Sequence, residues 1–69
     1  MLSSEARRKA ADAVSLEMFI TLNDSAAKQW RTQAEMATSS EVKRLLMDTA
    51  GHEQTVVTDL RKLLPKVTG

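Results

Sequence analysis

The stretch SEVKRLLMDTAGHEQTVVTDLRKLL, residues 40–64, decides the fold. Within it Val42, Leu46, Thr49, Glu53, Val56, Leu60 and Leu63 recur at alternating steps of four and three. That spacing is the seam of a packed helix. Glu53 stands where a leucine would complete the row. A carboxylate in a seam faces a neighbouring helix, and its burial is costly unless something pairs with it.

Working upstream, Thr38-Ser39-Ser40-Glu41 has the form of a capping box, with the Thr38 hydroxyl on the Glu41 amide. It predicts a turn over residues 37–40 and a second helix over about 39–64, with Pro65 as its stop. Before the turn, Leu16, Ile20, Asn23, Ala27, Trp30, Ala34 and Ala37 repeat the same spacing. Phe19, Leu22 and Ala26 widen that stripe. Ser3 or Ser4 caps this first helix, which runs over about 4–37, unless it breaks near Asp12. The fold class is all-α: one domain over 1–69, an antiparallel two-helix hairpin.

Two helices leave an apolar stripe uncovered on each, and a hairpin this small rarely stands alone. The expectation is a homodimer or higher homo-oligomer that forms a four-helix bundle. Its interface residues are Leu16, Phe19, Ile20, Trp30, Leu46, Val56 and Leu60. Trp30 is the core anchor of the hairpin, and Met18, Met36 and Met47 fill gaps.

Composition narrows the chemistry. The chain has 69 residues, no cysteine, one histidine, and a net charge of +1. There is no thiolate site or disulfide framework, no nucleophile in a triad-like context and no glycine-rich phosphate loop. Arg7-Arg8-Lys9 is the single basic run, and without interleaved aromatics it reads as a solvated helix face rather than a nucleic-acid or membrane contact. The apolar stretch from Val14 to Leu22 is too short and interrupted for a signal peptide or a membrane span. A soluble cytoplasmic protein, not an enzyme, is the expectation.

Asn23 and Glu53 are the polar seam positions. Each lies about fifteen residues from the turn, which places them at a similar height. A two-fold would bring a second pair close, and the two carboxylates would then share a proton or a cation. His52 sits at the edge of the seam. Glu53, Asn23 and His52 are therefore the candidate metal ligands, for divalent iron, manganese or calcium rather than zinc.

The stretch from Asn23 to Leu64 resembles the hairpin unit of the ferritin-like superfamily, especially rubrerythrins and encapsulated ferritins. Ala26, Trp30, Ala34-Glu35, Thr38-Ser39-Ser40-Glu41-Val42-Lys43, Leu45-Leu46, Ala50, Glu53 and Leu60 carry the resemblance. It implies a four-helix bundle holding two iron ions between a helix-one Glu and a Glu-x-x-His of helix two. Glu53 falls on the Glu of that motif, Val56 falls on its His, and Asn23 falls on the helix-one Glu. The resemblance thus implies a metal centre that has decayed to an Asn23–Glu53 polar layer. Two functions follow: a non-catalytic, self-associating hairpin that also contacts other proteins, and, as the alternative, iron binding at the dimer interface through Glu53.

Overall fold

A computed structural model describes residues 3–68. Helix α1 spans Ser4–Met36 and helix α2 spans Ser40–Thr68. The two pack side by side as an antiparallel hairpin. α1 is continuous through Asp12, which settles the alternative of a break there in favour of one helix. Ser3 is its N-cap: the Ser3 hydroxyl accepts from the Ala6 amide at 3.1 Å, and the Ser3 carbonyl accepts from Arg7 at 3.0 Å. α1 ends at Ala37, which turns extended at φ −71° and ψ 134°.

The cap of α2 lies one residue beyond the predicted Thr38. The carbonyl of Ser39 accepts the first helical bond, from Lys43 at 2.9 Å, and its hydroxyl accepts from the Val42 amide at 3.4 Å. Both bonds define Ser39 as the N-cap. Pro65 does not stop the helix, which continues to Thr68. A proline φ suits a helix, and because only three helical residues follow Pro65, its missing N–H bond and the crowding of the preceding turn disturb little of α2. Threonines 21, 32, 49, 55 and 58 each donate their hydroxyl to the carbonyl four residues back, so none leaves its hydroxyl without an acceptor within the helix.

The line of closest approach is built from small residues. Ile20, Ala27 and Ala34 of α1 are buried, as are Ala50 and Val57 of α2. Each set recurs at intervals of seven, so each is a single edge of its helix. Alanines let the two backbones approach closely. On α1 this is the predicted seam. On α2 it is rotated by about one residue, onto 50 and 57 rather than 49 and 56. Val57 is 0% exposed, whereas Val42 is 47% exposed and Leu63 is also open. The predicted row from Val42 to Leu63 therefore lies on the flank of the hairpin. The methionines are not core filler either: Met18, Met36 and Met47 are all exposed.

The result is a slab one helix layer thick. Its Cα extents are 56 × 17 × 11 Å, and its radius of gyration is 16.3 Å. A compact chain of this length would have a radius near about 11 Å. Two helices in one layer cannot enclose a core, because a core needs a second layer.

Candidate interaction surface

Helix periodicity gives the slab two unlike broad sides. On one, α1 presents Leu16, Phe19, Asn23, Ala26, Trp30 and Gln33. On that same side α2 presents Val42, Leu46, Thr49, Glu53, Val56, Leu60, Leu63 and Val67. Leu16, Phe19, Leu60, Leu63 and Val67, with Asp12 and Ser15, line one groove between the helices, apolar except at those two residues. Nearer the turn, Trp30 and Leu46 share a second depression with the polar residues Lys28, Gln29, Thr32 and Gln33 of α1. The opposite side carries Glu17, Asp24, Lys28 and Arg31 on α1 and Lys43, Gln54 and Arg61 on α2. Arg31, Glu35, Lys43 and Met47 are grouped there. Asp24 and Lys28 form an ion pair at 3.2 Å, one helical turn apart. The first side is thus mainly apolar, whereas the other is mainly charged, with Met47 beside Arg31 and Lys43 and with Val14 and Met18 beside Glu17.

Glu53 lies midway along the apolar side, and its partner is Trp30. The indole Nε1–H donates to Glu53 Oε1 at 3.1 Å. The other carboxylate oxygen, Oε2, is buried and accepts no hydrogen bond. Asn23 is half-buried at the same level, but its Nδ2 donates to the Phe19 carbonyl of its own helix at 2.8 Å. Within the hairpin the hydrogen-bond partner of Glu53 is thus Trp30 rather than Asn23. The residue signal for this is present in the chain, since an indole N–H placed in a seam needs an acceptor. Counting heights from the turn misses it, because side chains lean toward the N-terminus of their own helix. In an antiparallel pair, Trp30 leans away from the turn and Glu53 leans toward it, so they converge.

Of the other predicted interface residues, Ile20 is buried within the hairpin, and Leu16, Leu46, Val56 and Leu60 are half-buried along its groove. Phe19 is 53% exposed and Trp30 is 37% exposed, so the predicted anchor is only partly covered. Leu22, Leu45 and Met36 are open as well.

The predicted metal ligands are not brought together. His52 is exposed, one position round the helix from Glu53, and Asn23 is turned to its own backbone. Among the described residues no three His, Asp or Glu side chains converge as a metal site. A di-iron centre needs several carboxylates and imidazoles. One carboxylate already engaged by an indole, a neutral amide and Val56 at the imidazole position do not fit that group. Among the described residues, no helix is long and apolar enough to cross a membrane.

No family model, no curated protein and no solved structure matches this chain.

Proposed function

We propose that this chain is a non-catalytic assembly module: a helical hairpin that self-associates through its apolar side into a four-helix bundle and serves as a subunit or docking surface for other proteins. The observation that carries this reading is the segregation of the slab. One side bears Leu16, Phe19, Trp30, Leu46, Val56, Leu60, Leu63 and Val67, and the other bears the ion pair and most of the charges flanking it. Large contiguous apolar surface on a small chain marks an interaction site.

The test is sedimentation velocity and native mass spectrometry of the intact chain, purified without chelator and then offered Fe(II) or Mn(II). A metal-free dimer is expected, unchanged by either ion. Phe19→Glu combined with Leu63→Glu should give a monomer that circular dichroism still reports as helical. A wild-type monomer at high micromolar concentration would sink the reading. A dimer that takes up ions, and loses them on Glu53→Ala, would replace it with the iron-binding alternative.

A further inference from the structure

We infer that the occupant of the apolar side is a second copy docked head to tail, its turn lying over the open end of the first hairpin. The two-fold then passes through the layer of Asn23 and Glu53. This rests on the self-association just proposed and adds its geometry.

Area points to a layer of about this size. The chain exposes 5412 Å². A compact monomer of 7.6 kDa would expose about 4,300 Å². The excess, about 1,100 Å², is of the order that one partner buries in a stable dimer, about 800 Å². A second copy of the slab is the simplest layer of matching length and width.

Charge selects the orientation. The open end carries Arg7, Arg8, Lys9, Arg61, Lys62 and Lys66 against Glu5 and Asp12. Same-end docking would bring two such basic ends together, and head-to-tail docking separates them. The central layer then holds two Glu53 and two Asn23 side chains.

The chain has no cysteine, so Thr38→Cys at the turn gives a single site for a spin label. Pulsed electron paramagnetic resonance of the labelled dimer reads the turn-to-turn distance. Fifteen residues of rise on each side of the two-fold predict about 45 Å. A distance under about 25 Å would mean that the turns share an end and would overturn the orientation. Monomeric labelled protein would instead overturn the self-association beneath it.

Discussion

Trp30 donates its indole N–H to Glu53 at 3.1 Å, joining residues 23 positions apart in the chain. The bond ties α1 to α2 side chain to side chain. The buried edge beside it is alanine, valine and isoleucine, which specify closeness but not register. A directional bond to a charged acceptor is stronger than a neutral one and tolerates little sliding. Trp30 and Glu53 therefore set how the two helices align.

Trp30→Phe keeps most of the ring and removes the donor. It leaves a half-buried carboxylate with neither oxygen paired, and should destabilise the hairpin by about 1–3 kcal/mol in urea unfolding. Glu53→Leu removes the need for the donor, and should keep the fold and raise its stability. In the Glu53→Leu background Trp30→Phe should cost well under about 1 kcal/mol. Equal costs in both backgrounds would show that the bond contributes nothing.

The two neighbouring turn residues separate cleanly by substitution. Ser39→Ala removes the hydroxyl that caps Val42, and should cost about 0.5–1 kcal/mol. Thr38→Ala should be near neutral, because Thr38 lies outside the cap. Thermal unfolding of both variants checks the assignment. A larger loss at Thr38 would restore the capping box.

How far the residues alone announce this fold differs between the helices. The α1 seam is legible, because Ile20, Ala27 and Ala34 have polar neighbours on the charged side. α2 misleads, because it has two apolar edges one residue apart. Ala50 and Val57 meet α1, whereas Val42, Val56 and Leu63 belong to the outward edge. The larger residues dominate the pattern, yet the closest approach in a two-helix layer selects the smaller ones. The same preference explains why Glu53 reads as a seam residue: it belongs to the outward edge and reaches inward only to meet Trp30. Pro65 obscures the end of α2, since its effect depends on how many helical bonds remain to be lost.

Gly51 lies mid-helix and exposed, and a Cβ built there would meet nothing within 4 Å. Gly51→Ala should therefore gain the full difference in helix propensity, about 1 kcal/mol. For a chain this small that is a rise of about 4–8 °C in Tm. Calorimetry checks it. A fall would mean that another surface approaches the Gly51 backbone in the assembled protein.

Val57 and Val42 are the same residue type on the two edges of α2, so they test which contacts belong to the hairpin and which to the assembly. Val57 is fully covered by the hairpin itself. Val57→Ala removes two buried carbons and leaves a cavity, and should cost about 2 kcal/mol at any protein concentration. Val42 is half open and lies on the apolar side. In dilute protein, where the hairpin is alone, Val42→Ala should change stability by less than about 0.5 kcal/mol. In concentrated protein its cost should grow, because the surface it loses is then covered by the second layer. Urea unfolding of both variants across a concentration series separates the cases. A Val42→Ala cost that is large and independent of concentration would place the seam of the hairpin on the outer edge of α2, and would leave the apolar side without its proposed role.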